Sequence, residues 1–159
     1  STTEVEARHA LKSNSDVKEL RGIEAYKARY PEAQNGHVDL DISGKPTQFK
    51  TARVLGSQAG LAASLYTKAG KDERGKQLRD SYPVGAFEIL IVAYEEEKEG
   101  GNEWHFWRIP ASELEERGYL STPETRGKTV LYVYGPVGKQ PDPNAHKKAD
   151  TWTRKYYQL

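Results

Sequence analysis

Residues 37–53 read HVDLDISGKPTQFKTAR, and this stretch decides the fold. Two strand-like runs, residues 37–42 and 47–54, are separated by Ser-Gly-Lys-Pro, and a connector this short that contains glycine and proline predicts a hairpin. Within each run apolar residues alternate with polar ones, as in a strand that buries one face. The sequence therefore predicts two antiparallel strands that share an apolar face and a polar face.

The polar face of this hairpin collects chemically useful groups. Strand alternation places Asp39 and Asp41 on one face of the first strand, and Gln48 and Lys50 on one face of the second. Because the apolar residues between them need the core, all four polar side chains should share the opposite side. Carboxylate and amide oxygens suit Mg²⁺. A lysine beside such a metal can orient or deprotonate an attacking water and stabilise a pentavalent phosphate.

The rest of the chain predicts an α+β fold. Apolar residues at helical spacing from Asp16 onward indicate a helix that Pro31 ends, and residues 61–66 indicate a short second helix. The charged, glycine-punctuated residues 68–80 predict a mobile loop or a ragged helix. The remaining predictions are strands at 86–94, 104–109 and 129–134, a turn at Gly100-Gly101, and a helix at 113–117 with a capping box of Ser112 and Glu115.

These elements predict a mixed sheet of about five strands flanked by helices. With no internal repeat or long linker, residues 1–159 are expected to form one domain. Residues 1–15 would be a polar N-terminal extension, and residues 136–159 a proline-rich, then basic and aromatic tail. The basic end of that tail is either a phosphate-contacting arm or a solvated tail. No methionine occurs, even at position 1, which predicts a processed protein or a piece of a longer one.

Composition excludes several classes of function. Without cysteine the chain has no disulfide, thiol nucleophile or thiolate zinc site, and this fits an intracellular location. No apolar run approaches the roughly 18 residues that span a bilayer, so no membrane partner is expected. Lys and Arg number 24 against 23 Asp and Glu, so any contact with nucleic acid must depend on local patches. No Walker loop, dinucleotide fingerprint, Ser-His-Asp spacing or zinc motif is present.

The hairpin resembles the PD-(D/E)xK nuclease superfamily. The resemblance rests on residues 39–42, the glycine turn and residues 48–53, and it is nearest the intron-encoded homing-endonuclease branch, in which Gln replaces the second acid. The strand at 87–92 and the Trp-Arg-Ile-Pro step at 107–110 also resemble that branch. The resemblance implies that Asp39 binds metal, Gln48 supplies a metal-facing oxygen and Lys50 is the catalytic lysine.

The resemblance also implies the rest of the site and its substrate. A glutamate of the first helix, Glu24 or Glu19, would complete the site, which would hold Mg²⁺, with Mn²⁺ as a substitute, bound by Asp39, Asp41 and Gln48. The substrate would be DNA, cut by a homodimer or larger assembly because each subunit cuts one strand. A basic stretch near the site would grip the DNA phosphates; it consists of Arg53, Lys68, Lys71, Arg74, Lys76 and Arg79.

Plainer interpretations compete with this one. The charged face of the hairpin is also what a solvated strand with cross-strand ion pairs would show. His37 is expected at a strand edge, His105 as a surface or cross-strand partner, and the aromatic residues 104–107 mainly as core. Two other functions stay open: a non-catalytic module of a larger protein that binds nucleic acid or protein, and an interaction domain without nuclease kinship.

Overall fold

The computed structural model describes residues 14–159, beginning with helix α1 (Asn14–Arg29). Asp16 in its first turn and Lys27 and Arg29 in its last turn complement the helix dipole. The helix ends before Pro31, so the predicted first helix is confirmed. None of the helices in the described range is long and apolar enough to cross a membrane.

Strands dominate the rest of the described chain. The strands are β1 (Ala33–Asn35), β2 (Leu40–Ile42), β3 (Lys45–Arg53), β4 (Leu61–Ser64), β5 (Tyr66–Lys71), β6 (Gln77–Ser81), β7 (Ile89–Glu96), β8 (Glu103–Pro110), β9 (Val130–Val133) and β10 (Tyr157–Gln158). Eight of them form one mixed sheet in the order β1-β2-β3-β7-β8-β10, with β4 paired to β3 and β9 paired to β4, and β5 and β6 form a separate hairpin. Helix α2 (Ala111–Glu116) follows β8, and a 3₁₀ turn (Trp152–Tyr156) precedes β10.

The predicted hairpin is confirmed with a tighter turn than expected, but its first strand begins only at Leu40, and residues 37–39, which were expected in that strand, form a bend. β2 and β3 pair antiparallel, and only Ser43 and Gly44 connect them, with φ of 53° and 78°. Positive φ at both residues matches the right-handed twist of the flanking strands, and Gly44 takes this conformation without strain. Lys45 and Pro46 therefore belong to β3, and the pairing of Leu40 with Thr47 fixes the register.

Strand β3 changes neighbour along one of its edges. On one edge it runs parallel to β7 from Thr47 to Thr51. On the other edge it pairs with β2 as far as Thr47, and then with β4 at Ala52 and Arg53. Residues 48–51 therefore have no strand beside them on that edge. This gap between β2 and β4, called the sheet fork below, is where the predicted site lies.

Both faces of the sheet are buried. The face under α1 carries one core, which includes Ile23, Tyr26 and Phe49. The opposite face carries a second core, which includes Leu90 and Trp107 and against which α2 and the C-terminal aromatic residues pack. Gln48 and Lys50 share a face with the second core and are only half-buried. The polar face expected from strand alternation is therefore the wall of a cleft beside a core.

The α+β class is confirmed, but the strand count and three local predictions are wrong. The sheet has eight strands instead of about five, since strands of two to four residues carry too little pattern to be recognised. Residues 61–64 form a strand because pairing with β3 and β9 overrides the helix propensity of their alanines. Residues 68–80 belong to a hairpin, and Ser112 caps nothing, since Pro110 is the N-cap of α2.

Candidate functional site

Asp39 is the centre of the sheet fork. Its Oδ2 accepts a hydrogen bond from Gln48 Nε2 at 2.7 Å and another from the backbone N–H of Phe49 at 2.9 Å. Its own N–H donates to Thr47 O at 3.2 Å. The Phe49 N–H faces the gap where a neighbouring strand would have accepted it, so the carboxylate takes the place of that strand. Backbone pairing therefore fixes Asp39, Gln48 and Phe49 together.

The contact between Asp39 and Gln48 also orients the Gln48 amide. A carboxylate only accepts hydrogen bonds, so the amide presents its nitrogen to Asp39 and keeps its oxygen for another partner. Within residues 14–159, neither Gln48 Oε1 nor Asp39 Oδ1 has a hydrogen-bond partner. This pair of residues thus keeps two oxygens of the kind that Mg²⁺ binds without a protein partner in the described range.

Lys50 supplies a fixed positive charge next to these oxygens. Its Nζ lies 5.4 Å from the ring centroid of Tyr82. Burial lowers the pKa of Lys50, but the Tyr82 hydroxyl and the negative charges of Glu19 and Asp39 outweigh it, and the pKa is raised. Lys50 is therefore a cation at neutral pH, suited to stabilising negative charge and unsuited to accepting a proton.

The Asp39 carboxylate is held where its charge is poorly solvated. Burial raises the pKa of Asp39, although the Phe49 N–H and the Lys50 charge act in the opposite direction. A group whose charged form is disfavoured in the folded protein gains from a cation placed against it. Perturbed acids in clefts of this kind are common at functional sites.

A cleft of about 770 Å³ opens beside Lys50, and it distinguishes the two helix glutamates. Glu19 lines this cleft and acts electrostatically on Lys50. Glu24 is exposed and its carboxylate forms an ion pair with Lys27 at 3.0 Å. The geometry therefore favours Glu19 over Glu24 as the helix acid of the site.

The structure brings only some of the other predicted residues to the cleft. Asp41 lies against Gly36, where a Cβ would come within 3.0 Å of its Oδ2, and it makes no hydrogen bond to Asp39 or Gln48 in the described range. Arg53 lines the cleft and donates to Ser64 Oγ at 3.2 Å. The other predicted DNA-binding residues lie on the β5–β6 hairpin, whose base borders the cleft; they are Lys71, Arg74, Lys76 and Arg79.

A second cluster, at the turn end of the β7–β8 hairpin, was missed by sequence reasoning. Glu96, Glu103 and His105 offer ligand atoms within 4.8 Å of one another and could hold a metal ion. His105 is buried, with Nε2 2.9 Å from Glu96 Oε1 and Nδ1 2.6 Å from the Tyr157 hydroxyl. The ammonium of Lys98 contacts both glutamates. Cross-strand register, which opposes Glu96 to Glu103, was the signal that could have found it.

Comparisons with known proteins inform the fold alone. No family model matches the chain, and no curated protein matches it. Among solved structures, the chain is similar to one described as the crystal structure of MepB. The two are 20% identical with a TM-score of 0.57, and the match covers 92% of this chain and 97% of that chain. At this level of identity the similarity shows a shared fold over nearly the whole of both chains, and function must be argued from the site.

Proposed function

We propose that this chain is a Mg²⁺-dependent nuclease-like domain that hydrolyses DNA phosphodiesters at the sheet fork. The observation that carries the proposal is the convergence of Asp39, Gln48 and Lys50 on one half-buried patch, where Asp39 bonds to Gln48 and its charge helps to raise the pKa of Lys50. Kinship with the PD-(D/E)xK core is part of the same proposal. A solvated strand face with chance ion pairs would not fix a carboxylate by two hydrogen bonds at 2.7 and 2.9 Å.

The donor set at the fork fits Mg²⁺. Asp39 Oδ1 and Gln48 Oε1 are hard oxygen ligands without another partner in the described range, and Glu19 lines the cleft that Lys50 also lines. Mg²⁺ typically takes one or two carboxylates and completes its shell with waters and substrate phosphate. Bound there, it would supply a Lewis acid and a water of lowered pKa. Mn²⁺ prefers similar ligands and is expected to substitute.

Lys50 would act as a fixed charge in the reaction. In hydrolysis a water oxygen attacks phosphorus, a P–O bond breaks, and the leaving oxygen takes a proton. Negative charge grows on the phosphoryl oxygens in the transition state, and a preorganised ammonium in a half-buried site stabilises that charge. The raised pKa of Lys50 supports this role over that of a general base.

One observation favours a second candidate, a module that binds nucleic acid without cutting it. Within the described chain, the group with three close His, Asp or Glu ligand atoms lies at Glu96, Glu103 and His105, away from Asp39. At the fork an uncharged amide stands where a second acid would bind metal more strongly. If the chain is such a module, the cations of the cleft and of the β5–β6 hairpin would contact phosphate, and Mg²⁺ would have no effect on the binding of nucleic acid.

The deciding experiment is cleavage of supercoiled plasmid with Mg²⁺ or Mn²⁺. Lys50→Gln should lose at least about 100-fold in rate, as for removal of one transition-state donor, and EDTA should abolish cutting. The matched control is Lys45→Gln, which removes an exposed cation from the same strand and should cut normally. Cutting that survives in Lys50→Gln would place the chemistry elsewhere. A wild-type protein that binds DNA but never cuts would leave the binding module as the function.

A further inference from the structure

The β5–β6 hairpin, residues 66–81, stands apart from the large sheet. Its strands pair with each other and with no other strand of the described chain. From Thr67 to Asp80 the side chains described are mostly exposed, including Leu78 at 45%. A two-stranded ribbon exposed on both faces buries little apolar surface and is marginal by itself. A partner that contacts both faces of the ribbon would therefore stabilise it.

The base and the tip of this ribbon are both ordered by specific contacts. At the base, the Arg79 guanidinium lies 4.8 Å from the Tyr66 ring centroid, and Arg126 donates to the Arg79 carbonyl. At the tip, Asp72 Oδ1 accepts the backbone N–H groups of Arg74 at 2.9 Å and Lys76 at 2.8 Å. The ribbon is thus fixed to the body at one end and closed by a defined turn at the other.

The ribbon carries excess positive charge. The segment holds five Lys and Arg against three Asp and Glu, a net charge of +2, in a chain of net charge +1. One of the three acids, Asp72, is engaged in ordering the tip. Lys71, Arg74 and Lys76 are all exposed around that tip. A polyanion is therefore the partner that fits this surface.

We propose that the ribbon enters the major groove of B-form duplex DNA and holds the duplex across the cleft that contains Lys50. This inference rests on the proposed function for the position of the scissile strand. The B-form major groove, about 12 Å wide, admits a two-stranded β-ribbon, whereas the A-form RNA groove is too narrow and a single strand has no groove. Tyr66 and Thr67 begin the ribbon and also line the cleft, so a bound duplex passes over Lys50.

The test measures binding by fluorescence anisotropy in EDTA, with a DNA duplex of about 20 base pairs, the RNA duplex of the same sequence and each DNA single strand. The DNA duplex should bind about tenfold tighter than the others. The triple variant Lys71→Gln, Arg74→Gln, Lys76→Gln should weaken duplex binding by about tenfold or more and lower the salt slope by about three. Its matched control, Lys45→Gln, Lys128→Gln, Lys139→Gln, removes the same charge from exposed positions outside the ribbon, the cleft and the basic end of the tail, and should bind normally.

A chemical footprint locates the ribbon. The ribbon should protect guanine N7, which lies in the major groove, from dimethyl sulfate, and should leave adenine N3 in the minor groove reactive. Equal binding of the DNA duplex, the RNA duplex and the DNA single strands, equal loss in the two triple variants, or protection of adenine N3 alone would overturn the inference. The binding test is done in EDTA and does not depend on cleavage. If the protein binds the duplex through the ribbon but never cuts plasmid in Mg²⁺, the nuclease proposal is wrong and this inference stands.

Discussion

Two clusters of acids and bases lie on the same sheet and differ in how completely they satisfy themselves. At the β7–β8 hairpin, Lys98 contacts both Glu96 and Glu103, and His105 has partners on both ring nitrogens. At the sheet fork, Asp39 and Gln48 each keep an oxygen without a partner within residues 14–159. The two clusters therefore differ in whether the fold leaves ligand oxygens without a protein partner, which the proximity of ligand atoms alone does not reveal.

The electrostatics of the two clusters point in opposite directions. The hydrogen bond and charge of Lys98 lower the pKa of Glu103, as expected for an exposed ion pair. Burial raises the pKa of Asp39 despite the nearby Lys50. The carboxylates of the β7–β8 hairpin are thus already stabilised by Lys98. Burial disfavours the charged form of Asp39, and a bound cation would offset that unfavourable energy.

The largest expected effect separates the two clusters by activity. Asp39→Asn keeps an oxygen that can accept from Phe49 and Gln48 but removes the charge, so plasmid cleavage should fall by about 100-fold or more. Glu103→Gln, an equally conservative change in the other cluster, should leave cleavage unchanged. The measurement is the initial rate of nicking in Mg²⁺. Loss of cleavage in Glu103→Gln, with unchanged cleavage in Asp39→Asn, would mean that the hairpin cluster, and not the fork, holds the metal.

The same substitution, Asp39→Asn, should have a smaller and favourable effect on the stability of the fold. The folded pKa of Asp39 lies above its unfolded value, so ionisation of Asp39 costs stability above the folded pKa, and this cost disappears below the unfolded pKa of about 3.9. Asp39→Asn should therefore melt higher than wild type at pH 7, by about 2 °C, and the difference should shrink as the pH falls towards 3.5. Thermal unfolding across this range tests it. A variant that melts lower at pH 7 would show that the carboxylate is well paired.

The smallest expected effect concerns Lys98. Lys98→Ala removes an exposed cation, so the melting temperature should change by less than about 2 °C at pH 7. The lowered pKa of Glu103 contributes stability above its unfolded pKa, and this contribution is lost as the pH falls through the folded pKa, so any loss of stability in Lys98→Ala should be present above about pH 4.3 and disappear at lower pH. Without the ammonium, calorimetry should detect Zn²⁺ or Mn²⁺ binding roughly tenfold tighter than in wild type. Unchanged affinity would show that Lys98 does not compete with metal.

Local sequence pattern was enough to predict the helices and strands whose own residues show a clear periodicity or turn. The helix before Pro31, the β2–β3 hairpin and the long strands β7 and β8 follow from spacing, turn residues and apolar runs. Local sequence pattern failed where packing against another strand or helix decides the secondary structure or the burial of a residue. Residues 61–64 are a strand because two other strands flank them, and Phe106 and Trp107 are both fully buried because the sheet is covered on both faces.

The sequence by itself determined the α+β class and the shared face of Gln48 and Lys50, since period-two alternation places polar residues of one strand on one face. The assignment of Asp39, Gln48 and Lys50 as a site stays a prediction. Only the tertiary structure decided that β3 forks, that Asp39 closes the gap through the Phe49 N–H, and that Glu19 instead of Glu24 lines the cleft. The physical reason is that these features depend on strands and a helix far apart in sequence, whose packing no local pattern encodes.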